Sequence, residues 1–197
     1  GNPFTGNTTV TAGSLSVSSA GALRTSYAGN IALSSGTGFT YGSTVDQTLA
    51  GTISGAGNLI KLGSSTLTLT GTNTRTGDTN LAAGVLSLGS ATALSNNAGT
   101  ISFTGGNLQY SASNDVDYSS RFSTAASQSY DIDTNGADVT FATALTSASG
   151  ALTKAGLGTL TLTGTNTFDG DTSITGGVLA VSSAGALRTS YAGNIAL

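Results

Sequence analysis

The chain has 197 residues, a formal net charge of −3 and only 8% charged side chains, and it lacks His, Cys, Met and Trp. The absence of Cys excludes a disulfide framework and thiolate metal sites, and the net negative charge with six scattered cations argues against nucleic-acid binding, which needs Lys/Arg clusters to neutralise phosphates. No apolar run approaches the ~20 residues of a membrane-spanning helix, and a hydrophobic content of 38% in regular alternation argues against disorder.

All nine acids are Asp, and good charged helix formers are nearly missing, while Thr and Val are frequent. An all-β chain with many turns follows. In chain order, Leu15 and Val17 alternate after a Gly. Thr66-Leu67-Thr68-Leu69-Thr70 puts two Leu on one side and three Thr on the other. Leu86 and Leu88, Ile101 and Phe103, and Leu108 and Tyr110 continue the period of two, followed by Val139 and Phe141. Thr159-Leu160-Thr161-Leu162-Thr163 repeats the earlier strand, and Leu179 and Val181 close the series. Each run is short and bounded by Gly, Asn or Asp turns such as Gly71-Thr72-Asn73 and Gly105-Gly106-Asn107.

The chain also repeats itself. Segments 17–33 and 181–197 both read VSSAGALRTSYAGNIAL, identical at every position and offset by 164. An older duplication pairs 54–71 with 147–164 and continues from 71–88 into 164–181, at an offset of 93. A third copy at 2–17 precedes the middle one at an offset of 71. Short strands, frequent turns and tandem identity predict a β-solenoid, in which coils of roughly 20–25 residues stack about 4.8 Å apart. A β-sandwich repeat accommodates the uneven spacing poorly, because a solenoid absorbs it by adding a coil. Residues 1–197 are therefore read as one continuous segment, with 1–164 a full period and 165–197 the start of the next. Without Met at position 1, the translation start and any export signal or anchor are expected outside this sequence.

Gly150-Ala151-Leu152-Thr153-Lys154-Ala155-Gly156, then Gly158 through Gly164, Asn166-Thr167-Phe168, Gly170 and Gly177-Val178-Leu179 closely resemble the autotransporter-associated β-strand repeat, or passenger-associated transport repeat. The middle copy matches from Gly57 through Lys61 and Leu67 to Leu86. It departs at Arg75, where the family pattern favours an aromatic and the other copies have Phe4 and Phe168, and Gly63-Ser64-Ser65 replaces the usual Gly-x-Gly. The resemblance implies a right-handed parallel β-helix exported to the bacterial surface or beyond it. It covers about half the chain directly.

Candidate sites are few. Asp131, Asp133 and Asn135, in Asp-x-Asp-x-Asn-Gly, offer three oxygen ligands on a tight loop, as calcium requires, but Ala142 stands where the bidentate acid would be. A plain turn before Val139 is the stronger reading, and no other cofactor is expected. The less repetitive stretch 107–135 holds Tyr110, Asp115, Asp117, Tyr118, Arg121 and Tyr130, and Tyr110, Tyr118, Arg121 and Tyr130 are the candidates for binding a glycan or a neighbouring surface. If those residues lie within coils instead of projecting, that reading loses its support. The pairs Asp115/Asp117 and Asp131/Asp133 are the carboxylates available for sugar hydrolysis, yet Arg121 is the one nearby cation and no His can activate a Ser or Thr, so no enzyme is expected. Outward Thr rows raise ice binding, but the Thr-Leu-Thr-Leu-Thr strand recurs too sparsely. Arg24 with Tyr27, and Arg188 with Tyr191, form a repeated patch that suits either a glycan or packing against the rod.

The expected role is structural: a stiff rod for adhesion or surface architecture. Its expected partners are neighbouring repeats of the same protein and, through end-to-end stacking, further copies in a homo-oligomer or fibre. The alternative is an adhesin-type module recognising a glycan or cell surface through 107–135.

Overall fold

In the computed structural model the described residues are 4–23, 26–95, 99–182 and, for the backbone, 195–196. They form a parallel β-solenoid of about eight turns. The one helical element among them is the short 3-10 turn Ser119–Arg121.

Each coil visits three faces. The first face carries Thr8–Val10, Ile31–Leu33 and Ile53–Gly55 in parallel register. The stack continues through 73–76, where the Thr74 and Arg75 amides donate to the Ile53 carbonyl at 2.9 and 3.1 Å. It resumes as regular strands at Val139–Phe141, Thr159–Leu162 and Val178–Val181. The second face stacks Ser14–Ser19, Gly38–Ser43, Asn58–Lys61, Thr79–Leu81 and Ile101–Phe103. The third face is a nine-stranded sheet from Ser26–Tyr27 through Asn107–Gln109 and Ser129–Asp133 to Ile195–Ala196. Equivalent residues on adjacent coils are 19 to 24 positions apart, so each coil adds or drops corner residues without losing register.

The period-two pattern is the cause of this arrangement. Leu67 and Leu69 are buried while Thr66 and Thr68 face outward, and Leu160 and Leu162 repeat this on another face. A fully buried Leu contributes about 1.5–3 kcal/mol, and the inward residues form one continuous core. Between Phe103 and Phe141 that core becomes aromatic. Phe122 packs edge-on against Phe103 at 4.9 Å and Phe141 at 5.2 Å, and Tyr130 meets Phe103 at 5.5 Å.

The turns carry the polar accounting that a solenoid requires, since every corner interrupts the ladder. Asn73 clamps three coils: its Oδ1 accepts the Ile53 amide at 2.6 Å and its Nδ2 donates to the Ala93 carbonyl at 2.8 Å. Asn166, its equivalent in the last copy, accepts the Leu145 amide at 2.7 Å in the same way. Asp46 and Asp138 each accept the amide that opens the next strand, from Thr66 at 2.8 Å and Thr159 at 2.7 Å.

Candidate functional site

The stretch 107–135 folds into coils and does not project as a loop. Asn107–Gln109 pairs with Ser129–Asp133 on the third face. Tyr110, Tyr118 and Tyr130 are buried at 0%, 1% and 1% exposure, so their rings are core side chains and do not reach solvent. The Tyr130 hydroxyl donates to the Ser123 carbonyl at 2.8 Å, and Tyr118 meets Asn114 Nδ2 at 3.1 Å. Burial pushes the Tyr110, Tyr118 and Tyr130 phenols above their ordinary range.

Arg121 is 9% exposed and turns inward, with Nε donating to the Gly99 carbonyl at 3.0 Å and Nη1 to the Ser95 carbonyl at 2.7 Å. It thereby straps one coil to the turn of the coil before it. Burial lowers its pKa, opposed by Tyr118 and Asp78. A shallow groove of about 590 Å³ runs beside it, along Gly99, Thr100, Ser120 and Ser123.

Asp131 and Asp133 alternate with inward Ile132 and lie on the outer side of the third face. Asp131 Oδ1 accepts from Asn107 Nδ2, and Asp133 Oδ2 from Gln109 Nε2, both at 2.8 Å. Asp133 Oδ1 also accepts the Asn135 amide at 2.9 Å, and Asn135 adopts a φ of 46° at the corner. The three candidate ligands thus run along a strand into its turn, with both carboxylates engaged by neighbouring amides. Among the described residues, no three Asp side chains gather around one point.

The remaining candidates are distributed likewise. Asp117 caps two segments, accepting the amides of Ser119 at 2.8 Å and Ala142 at 2.9 Å. Tyr27 is fully buried, and its hydroxyl donates to the Gly6 carbonyl. Arg24, Arg188 and Tyr191 lie outside the described residues.

What the sequence reading missed is the chemistry of the two repeat lysines. Lys61 and Lys154 occupy the same place in two copies, alternate as inward residues would, and are fully buried. Lys61 Nζ donates to the carbonyls of Gly63, Ala83 and Leu62 at 2.8, 3.2 and 3.4 Å. Lys154 Nζ donates to Gly156, Gly176 and Ala155 at 2.8, 3.0 and 2.8 Å. Each ammonium ties its own corner to the corner of the next coil. Burial pushes Lys61 down to about 8 and lowers Lys154, with Asp46 and Asp133 respectively opposing the shift. The signal was present in the alternation itself: Lys61 follows Leu59, and Lys154 follows Leu152, at inward spacing.

The glycine that follows each lysine corner has a physical reason. Gly84 and Gly177 adopt φ of 65° and 64°, and a Cβ there would stand 2.2 and 2.3 Å from the Gly63 and Gly158 carbonyl oxygens and 2.7 and 2.8 Å from the lysine Nζ. The Gly-x-Leu element of the repeat is therefore the receiving half of the lysine corner.

The passenger-associated-transport-repeat profile matches residues 1–17, 59–88 and 152–181, which are the three copies just described. A stretch of 150 residues is 37% identical to "Adhesin BmaC autotransporter" of Brucella suis biovar 1 (strain 1330), covering 76% of this chain and 4% of that protein. No solved structure matches the chain. With the lysine corner, the Thr-Leu-Thr-Leu strand and the Gly-x-Leu element recurring in order in two of these copies on a parallel solenoid, the chain carries three passenger-associated transport repeats.

Proposed function

We propose that this chain is a spacer segment of a bacterial surface adhesin, a stiff rod that holds adhesive parts of a much longer protein away from the cell. The observation that carries this reading is the continuity of the third face. Its nine strands stack in parallel from Ser26 to Ala196, so adjacent coils share a hydrogen-bonded ladder along its whole length. A spacer needs stiffness and reach and no catalytic centre. The likeness to an autotransporter adhesin supports surface display.

The test is deletion of one full period, 1–164, from the full-length protein on its native cell. A spacer loses about 37 Å of reach, taking ~4.8 Å per coil, measured by atomic force microscopy, and keeps its adhesion. Abolished adhesion at unchanged surface level would sink the spacer role.

A second reading, recognition of a glycan or neighbouring surface, is favoured by the outward row of Asn107, Gln109, Asp131 and Asp133 beside one another on the third face. Calcium binding is proposed for the same row and tested there by titration calorimetry on D131N/D133N. Glycan-array binding that survives in wild type and disappears in that double variant would replace the spacer reading. Sedimentation at rising concentration tests end-to-end assembly of separate copies.

A further inference from the structure

The repeat spacing does not divide into whole coils. Along the third face, eight successive pairings carry the chain from Ser26 to Ala196, and each coil advances it by twenty-one to twenty-two positions on average. The offsets of 71, 93 and 164 are then about three and one-third, four and one-third, and seven and two-thirds coils.

The fractional turn is realised in the faces. Thr8–Val10, Thr79–Leu81 and Thr172–Ile174 occupy equivalent places in the three copies, and they lie on the first, second and third face in turn. The strands that follow them, Ser14–Ser19, Val85–Leu88 and Val178–Val181, lie on the second, third and first. The lysine strands Asn58–Lys61 and Ala151–Ala155 lie on the second and third. Most directly, the identical segments each containing Ile-Ala-Leu are placed differently: Ile31–Leu33 is on the first face and Ile195–Ala196 on the third. All four sets of equivalent strands step in the same sense, by one face for each unit.

We propose that the tandem array is out of phase with its own coil, so that each period turns its surface by about two-thirds of a revolution and presents every patch in three directions. The inference rests on the spacer reading only in assuming that such periods follow one another in a long rod. At ~4.8 Å per coil, equivalent patches lie about 37 Å apart along the axis and return to the same side after three periods, about 110 Å. A flat partner engages one period in three. A partner that surrounds the rod, such as a hydrated polymer mesh, engages every period, and this is the kind of partner the geometry fits.

The same phase shift explains why the repeat chemistry is confined to corners. A motif that must work on any face cannot depend on what lies across the core. The hydrogen bonds that the Lys61 and Lys154 ammonium groups donate run to carbonyls of their own corner and of the next coil.

The chain has no cysteine, so a single thiol per period can be introduced cleanly. Thr9 is exposed on the first face. A recombinant array of six periods carrying Thr9→Cys in each, labelled with maleimide gold and imaged by electron cryomicroscopy, reads the phase directly. The expected result is labels about 37 Å apart along the rod, pointing in three directions, with every third label back on the same side. Helical averaging of unlabelled rods is expected to give successive periods related by two-thirds of a turn, which is a third of a turn in the opposite sense. Rods with every label along one side overturn the phase proposal and leave the spacer reading standing. Particles that are not rods overturn both.

Discussion

The unit at 58–88 and the unit at 151–181 carry one motif in two settings. The first places its lysine strand on the second face and the other places it on the third. Their lysine corners nonetheless match carbonyl for carbonyl, and Asn73 and Asn166 accept an amide from the coil before in the same way. The interior differs: Arg75 occupies in one the place that Phe168 occupies in the other. The motif therefore specifies how a corner closes and leaves open which face the strand joins and what fills the core above it.

If corner closure is the shared content, damaging it must cost the same in both units. Lys61→Met and Lys154→Met each strand three carbonyls that the ammonium satisfied, and each is expected to lose about 3 kcal/mol. Urea unfolding gives the total, and hydrogen exchange shows whether the loss stays within the coils concerned, as in other repeat arrays. A large loss at one lysine and none at the other would break the equivalence.

Gly84→Ala and Gly177→Ala probe the receiving half of the same corner. A methyl group there would stand 2.2 and 2.3 Å from the Gly63 and Gly158 carbonyl oxygens of the coil before, crowds the Nζ as well, and forces a side chain into left-handed backbone, an expected loss of about 2 kcal/mol or more at each position. Combined with the lysine variant of the same unit, the loss is expected to be close to additive, because the clash with the backbone carbonyls remains when the ammonium is gone. A loss well below additive would show that the Nζ contact alone carries the cost at the glycine.

The pH dependence is a finer lever on the same comparison. Lys61 is held near 8 by burial, below the ordinary lysine value of 10.5, so between those values the unfolded chain binds more protons than the folded one. Stability therefore rises as pH increases across that window. Burial raises the phenols of Tyr41, Tyr110, Tyr118 and Tyr130, which reverses the sign above about 10, where the unfolded tyrosines ionise first. A stability maximum near pH 10 is expected, and the K61M/K154M double variant should lose the rising limb and keep the fall.

Much of the rod was legible beforehand. The alternation at Leu67/Leu69 and Leu160/Leu162, the turn positions and the three copies all fold as the period-two pattern dictates. Two things were not legible, for related reasons. Tyr and Arg at 107–135 look like surface recognition residues by composition, yet the coil from Asn107 to Asp131 is 24 residues long, and Tyr110, Tyr118 and Tyr130 are buried in its core. Lys is ordinarily a surface residue, so its inward spacing carried less weight than its charge. Only the three-dimensional corner shows the carbonyls that make burial tolerable. The face on which a strand lands depends on the summed lengths of all preceding coils, which no local motif contains.

Arg75→Phe tests the interior difference. It imports the residue of the last unit into the middle one, beside a void of about 10 Å³ lined by Ile53, Leu59 and Leu69. Arg75 donates to the Gly77 carbonyl at 2.5 Å, the Asp78 carbonyl at 2.9 Å and Thr79 Oγ1 at 2.6 Å. Burial, with Arg121 nearby, holds its pKa down to about 10, so a charge is being kept in the core. The variant strands the Gly77 and Asp78 carbonyls and the Thr79 hydroxyl, as the lysine variants strand theirs, but it removes a buried charge and fills the space with the ring that Phe168 packs in the equivalent place, so a loss of about 1–2 kcal/mol, smaller than at the lysines, is expected by urea unfolding. A loss as large as that at the lysines would make the guanidinium a corner element in its own right.

The smallest effect sharpens the aromatic stretch against itself. Tyr110 and Tyr130 are equally buried, but the Tyr130 hydroxyl reaches the Ser123 carbonyl at 2.8 Å, while the Tyr110 hydroxyl has no partner among the described residues. An unpaired buried hydroxyl costs free energy that a phenyl ring avoids. Tyr110→Phe is therefore expected to be neutral or to stabilise by up to about 1 kcal/mol, and Tyr130→Phe to destabilise by about 1 kcal/mol. The sign difference, read by thermal unfolding of the two variants side by side, is the measurement. If Tyr110→Phe destabilises as much as Tyr130→Phe, the Tyr110 hydroxyl has a hydrogen-bond partner in solution, and this part of the core is wetter than its packing implies.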